Sequence, residues 1–428
     1  MSETSADPML NIDRKLAMLP PIPSERCIFR VHDLLRNENK KAYEPNVVSI
    51  GPYHHGKDNL KPMEEHKLRY LQQLLRRGNE PSAKRYIEAM QEFEQGARKC
   101  YAEPINSLDS NAFVDMMLLD GCFIVEFLRK NEIRNLRDQN DPIFKIDHIR
   151  IGLCRDLVLF ENQLPFFIVM KLFNMTENSM DSLHDFIRMF VNFFGWITPG
   201  QHLVAPSENP REGDIVHLLG LLHYSFCFEF HSMVSRRFPV VTNGIGMSLK
   251  SATELQEAGI KFKKIDGRNL FNIRFVNGTM EIPTLEVEDD TELFFRNLIA
   301  YEQYLPDTSR DYFTAYHKVI DYLVNTSKDV KILTNHGIII NYLGDDEVVA
   351  TMFNKLGNNV VASYVGYEEV YKNVNKHCGG MWNFWFAILR RDYFNNPWAL
   401  ISFVAAVVLL LFTVLQTIFT IHPVGKSN

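Results

Sequence analysis

The sequence has no apolar run near its N-terminus, little cysteine, no basic excess and no complete catalytic signature, and each shortage closes off a class of protein. Met1 to Ile12 is acidic and polar. It has neither the basic start nor the apolar stretch of a secretory signal, so nothing upstream is expected to start translocation of the bulk of the chain. The six cysteines, Cys27, Cys100, Cys122, Cys154, Cys227 and Cys378, are scattered without C-x-x-C or zinc-ribbon spacing, the usage of a reducing compartment. A net charge of −6 argues against nucleic-acid binding through a global basic field. No H-E-x-x-H, G-x-S-x-G, complete dinucleotide fingerprint or kinase set occurs, and the sequence assigns no cofactor and no catalytic residue. Hydrophobic content of 46% against 23% charged residues excludes a disordered chain.

What the chain does have is one long apolar run, Trp398 to Ile421, without a formal charge. As a helix it extends ~36 Å, enough to cross a hydrocarbon core ~30 Å thick. It predicts a transmembrane helix over 398–421 followed by a short tail, 422–428. With no earlier apolar segment, the expectation is a single-pass, tail-anchored protein at the plasma membrane with its N-terminal domain in the cytosol. Arg390 and Arg391 before the span outnumber Lys426 after it, the bias of a cytosolic N-terminal side. Sequons at Asn174, Asn277 and Asn325 matter only if the domain is lumenal.

Trp382, Trp385 and Trp398, with Arg390 and Arg391, fit an interfacial anchor ahead of the span; a last core helix fits the segment before Pro397 equally well. Within the span, Ser402, Thr413, Gln416, Thr417 and Thr420 fall in one arc at 100° per residue. Such a stripe suits helix–helix association in lipid, with a partner protein or a second copy. Membrane helices also tolerate Ser and Thr anywhere by bonding their own backbone.

Upstream, residues 1–23 read as a flexible arm. Residues 24–395 read as a mostly α soluble domain, α+β with two small β elements, divisible into lobes 24–235 and 251–380. Cys27–Val31 and Val47–Ile50 read as short strands. A helix starts near Pro62, and Ser110 offers a cap for the apolar helix from Phe113 to Leu128. The helical pattern of 148–173 is expected to break at Pro165. Later, Ser251 caps a short helix, strands recur over 261–282, and Asn277-Gly278 joins the last two as a hairpin. The acids from Glu286 to Glu292 read as a solvated loop that caps a helix at Thr291.

Two clusters carry candidate chemistry. Gly51-Pro-Tyr-His-His-Gly-Lys-Asp58 has phosphate-loop spacing, but Asp58 replaces the magnesium-binding hydroxyl and Pro52 removes an amide donor, so a structural turn is the better reading. His54, His55 and His66, with Glu64 and Glu65, offer metal-ligand types without a ligand spacing. On one helix face, His223, Cys227 and His231 recur four apart and could pair a thiol with a base. The outer two lie ~12 Å apart and cannot share a site. A packed structural role is the alternative at both clusters.

The ordered motifs also identify a resemblance. Ile28-Phe-Arg-Val31, Tyr43-Glu-Pro, Val48-Ser-Ile-Gly-Pro-Tyr-His-His-Gly56, Met63-Glu-Glu-His-Lys67, Leu119-Asp-Gly-Cys-Phe-Ile124, Asp156 to Phe167 and Ala252 to Phe262 resemble the plant domain-of-unknown-function 247 family from about residue 25 onward. Val31-His-Asp departs from it where the family often has proline. The resemblance implies a membrane-associated plant protein with no catalytic residues to carry over. Some family members are associated with pollen–stigma self-incompatibility or sex determination, which implies protein–protein binding in recognition or signalling. An uncharacterised membrane-associated enzyme, with its site near Gly51–His66 or His223–His231, is the alternative.

Overall fold

A computed structural model describes residues 26–176, 182–195, 205–211, 213–237, 247–266, 269–305, 310–361, 363–364, 366–379 and 397–421, with isolated positions at 12–13, 16, 198 and 203. Nearly all of the expected arm, the tail, and Trp382, Trp385, Arg390 and Arg391 lie outside these residues, as does the side chain of Trp398.

The N-terminal half is built around one helix. The first helices are α1, Lys61–Arg77, α2, Lys84–Cys100, and α3, Ser110–Glu132. Helix α3 is apolar on nearly every face and so has no side to give to water. It is enclosed by α1, α2, α5 (Phe166–Thr176) and α6 (Ser182–Phe194); α4, Asp147–Leu157, precedes α5. Its cap is Asp109, whose carboxylate accepts from the Ala112 amide at 2.8 Å, rather than the expected Ser110. Ser110 instead donates to Glu94 at 2.6 Å and so ties α3 to α2. Buried charges on α3 are matched, with the Glu126 carboxylate taking both arms of the Arg77 fork at 2.6 Å.

The C-terminal half begins with α7, Leu218–Arg237, and α8, Ala252–Glu257, the latter opened by the expected cap at Ser251, which with Glu254 forms a full capping box. Strands β1 (Lys261–Ile265), β2 (Arg274–Val276) and β3 (Thr279–Pro283) form a sheet in the order β1-β3-β2. The β2–β3 hairpin turns at Asn277 and Gly278, with φ of 48° and 77°, the paired positive values of the tightest hairpin turn. A second sheet pairs β4 (Leu285–Val287) in parallel with β5 (Ile339–Asn341). The first two residues of the expected acidic loop, Glu286 and Val287, are therefore strand. Helices α9 (Thr291–Gln303), α10 (Tyr312–Leu323), α11 (Ser327–Asn335), α12 (Asp346–Leu356) and α13 (Glu368–Cys378) complete the domain. Buried apolar side chains from Ile28 to Val374 form one cluster that draws on both halves.

Two strand expectations fail. From 27 to 31 the chain makes only a single bridge, Ile28 with Tyr101, and 47–50 joins no sheet. Both stretches are largely apolar, as a strand is, but the Val47, Val48 and Ile50 amides go to side chains instead of a neighbouring strand. The helix over 148–173 also ends at Leu157, well before Pro165; Asp156 at its end and Asn162 just beyond it supply those side chains.

The last helix, α14, is Pro397–Ile421, and its described side chains from Ile401 to Ile418 are all exposed. A core helix of a soluble domain would bury one face or all of them. This single long apolar helix accords with one pass through a membrane.

Candidate functional site

The two clusters separate once their partners are known. Around Gly51 the polar groups form a solid brace. The Asp156 carboxylate, at the end of α4, accepts from the amides of Asn46 (3.0 Å), Val47 (2.6 Å) and Val48 (2.8 Å). Asn162 accepts from the Ile50 amide at 2.7 Å and donates to the Val48 and Asp156 carbonyls. Asp120, from the middle of α3, accepts from the Gly51 amide at 2.8 Å, so a protein carboxylate already holds the position that a phosphate would need. Buried Lys67 donates to Ser49 O, Glu64 and Asp120. Burial opposes its charge, but the two carboxylates hold its proton more tightly than usual.

Gly51 is required for two reasons. Its φ is +74°, and a Cβ there would sit 2.3 Å from the Gln163 carbonyl oxygen. Gln163 in turn donates to the Leu157 and Leu159 carbonyls and accepts from Leu219 at the start of α7. Glu161 closes the brace, accepting from the Val31 amide at 2.8 Å and from Arg36 at 2.6 Å. The Glu-Asn-Gln run is thus three consecutive side chains bonded to three different segments, which is why no helix continues through it.

His54 is buried against this cluster, 3.6 Å from Glu161. Burial, with Lys57, Arg30 and Arg36 nearby, lowers its pKa to about 3 and keeps it neutral. His55 and His66 are half-buried and do not join it. Glu64 and Glu65 are taken by Lys67 and Arg69. Among the described residues no three His, Cys, Asp or Glu side chains converge as metal ligands.

The α7 cluster is different, because its residues line a cavity of ≈ 660 Å³. His223 Nε2 lies 2.7 Å from Glu302 Oε1 and 3.7 Å from Cys227 Sγ. Glu302 also accepts from the Phe313 and Thr314 amides, at 2.8 and 2.7 Å, where α10 begins. His231 Nδ1 pairs with the Tyr312 hydroxyl at 2.7 Å, apart from the other two. The thiol and the carboxylate face the same ring nitrogen. A nucleophile–base–acid relay needs them on opposite nitrogens, so that the acid orients the ring while the other nitrogen takes the thiol proton. Burial and Glu302 push the Cys227 thiol well above its ordinary pKa, the reverse of an activated thiolate.

The remaining lining comes from elements far apart in the chain: Phe29, Phe160, Asp214, Tyr301, Tyr304 and Arg310 among others. None carries a local signal of a cavity. Glu302 was legible only as a carboxylate inside an otherwise apolar helix face. In α14, Thr413, Thr417 and Thr420 each donate to the carbonyl four residues earlier, at 2.7–2.8 Å. Three hydroxyls of the stripe are thus satisfied by their own helix, as membrane helices permit; Ser402 and Gln416 lie on the same exposed surface.

Fold and site together define a mostly helical domain with two small sheets, an internally braced N-terminal segment and one apolar C-terminal helix. The profile of DUF247, described as a plant protein of unknown function, matches residues 28–412, and the chain belongs to that family. It is 31% identical over 416 residues to UPF0481 protein At3g47200 of Arabidopsis thaliana, covering 91% of this chain and 85% of the relative. It is 24% identical over 480 residues to a second UPF0481 protein of that plant, At3g02645, covering 91% and 89%. No solved structure matches.

Proposed function

We propose that this chain is a membrane-anchored binding protein. In this reading α14 crosses the plasma membrane once, the N-terminal domain faces the cytosol, and the domain works by protein–protein binding in recognition or signalling. The observation that carries the reading is α14 itself, whose described side chains from Ile401 to Ile418 have no cover within the chain. Arg390 and Arg391 ahead of it support the cytosolic side. Gln416 and Ser402 are the stripe residues left to contact a partner helix or a second copy.

The enzyme reading is favoured by one observation, the cavity beside His223 and Cys227, and opposed by the shared ring nitrogen described above. Proximity labelling from a tag at Met1, with protease protection of the same full-length protein in sealed membranes, tests the placement. The expected result is a protease-accessible tag that labels cytosolic neighbours. Labelling of lumenal or apoplastic proteins, or a glycan on Asn174, Asn277 or Asn325, would overturn it.

A further inference from the structure

We infer that the cavity beside α7 is a binding site for a small, flat, apolar molecule carrying one carboxylate, held by Arg310 and stacked on the Phe29–Phe160–Tyr304 wall. This is independent of the membrane and partner reading above. A volume of ≈ 660 Å³ lies within the ~300–1,000 Å³ of small-molecule sites. One wall is a contiguous aromatic surface, with ring centroids of Phe29 and Tyr304 4.9 Å apart and of Phe160 and Tyr304 5.3 Å apart. Tyr224 and Phe228 on α7 add a second ring pair at 5.6 Å. Surfaces of ring faces and edges favour a flat apolar body.

The charge of the ligand follows from which groups still have bonding capacity. The acceptors are mostly spent. Asp214 accepts from both terminal nitrogens of Arg310 (3.2 and 3.3 Å) and from the Arg211 amide at 3.0 Å. Glu302 is filled by two amides and His223. Glu208 is the spare carboxylate, and it is exposed. Donors remain. Both Arg310 bonds end on one Asp214 oxygen, which leaves its Nε and one hydrogen on each terminal nitrogen without an acceptor among the described residues. The field of Arg310 also reaches the interior: burial raises the Tyr224 and Tyr301 phenols and the Cys227 thiol, and Arg310 pulls each back. Arg26 and Arg211 add positive charge to the same lining. A guanidinium with a free fork edge beside aromatic rings is suited to a planar carboxylate.

The test uses the full chain in nanodiscs, with empty nanodiscs as the blank, and three matched probes: 2-naphthoate, 2-naphthamide and 2-naphthylmethylammonium. Calorimetric titration is expected to rank the acid about tenfold tighter than the amide, with the ammonium weakest. Arg310→Gln should weaken naphthoate about tenfold and leave the amide unchanged, while Phe29→Ala weakens both together. Should Arg310→Gln not fold by thermal melting, Arg310→Lys decides, since it keeps the charge and loses the fork; a several-fold loss for the acid alone is expected. Absence of probe binding to the unmodified chain, equal affinity for acid and amide, preference for the ammonium, or indifference to both Arg310 substitutions would each overturn the inference.

Discussion

Two regions of this protein hold the same kinds of residue and use them in opposite ways. The Gly51 region and the α7 region each bring a buried histidine to a buried carboxylate, His54 to Glu161 and His223 to Glu302. In the first, the carboxylates, amide side chains and ammonium are spent on backbone groups and on one another, and the histidine is buried against them. In the second, His223 forms part of the wall of an open cavity. The lesson is that residue type does not separate a brace from a site; the destination of the hydrogen bonds does.

The largest effect that would break this comparison is removal of Asp156. Asp156→Ala takes the acceptor from the partly buried Asn46 and Val47 amides and the buried Val48 amide and is expected to destabilise the full chain by about 3–5 kcal/mol in chemical denaturation. A loss below ~1 kcal/mol would mean that the brace is not structural. Gly51→Ala should follow at about 2–4 kcal/mol, from a left-handed φ and the approach to the Gln163 carbonyl.

Acid should expose the brace next. His54 and His217 both have pKa values lowered to about 3, chiefly by burial. The unfolded chain therefore takes up their protons first as pH falls below ~6.5, and each withdraws about 2–3 kcal/mol by pH 4.5. Asp156 works in the other direction. Burial raises it to about 6 against its amide bonds, so its burden on the fold eases over the same interval and offsets part of the loss. Net stability is expected to fall from pH 6.5 to 4.5, and His54→Gln should flatten the slope; a rise in stability would contradict the assignment of buried neutral imidazoles.

The smallest effect belongs to α14. Thr413→Val should leave crosslinking between membrane-embedded copies nearly unchanged, because the Thr413 hydroxyl is already bonded to Leu409 O. Gln416→Leu should lower it about two- to threefold, for a contact of about 0.6 kcal/mol. If the double substitution Gln416→Leu with Thr413→Val changes nothing, the stripe is not a contact.

Much of the fold was legible because its signals are local. An apolar stripe marked α1 and a nearly unbroken apolar run marked α3, the Ser251 cap and the Asn277-Gly278 turn are short-range motifs, and the span announced itself by length and lack of charge. Apart from the local shift of the α3 cap from Ser110 to Asp109, the misreadings arose where long-range partners decide. Val47–Ile50 looks like a strand, but its amides meet side chains from Asp156 and Asn162, more than a hundred residues later. The β4–β5 pairing joins Leu285 to Ile339, and three-residue strands carry no period to read. Of the candidate site, His223, Cys227 and His231 could be picked out by their spacing on one face. Arg310, Asp214 and the Phe29–Phe160–Tyr304 wall could not, since only the folded chain brings those segments together.

Hydrogen exchange of the full chain in nanodiscs, with and without 2-naphthoate, tests the division between brace and cavity most directly. The amides of 46–51 should be among the slowest to exchange and indifferent to the probe, while those of 220–228 and 311–314 slow when it is added. Protection appearing at 46–51 instead, or rapid exchange there in the unliganded protein, would contradict the account.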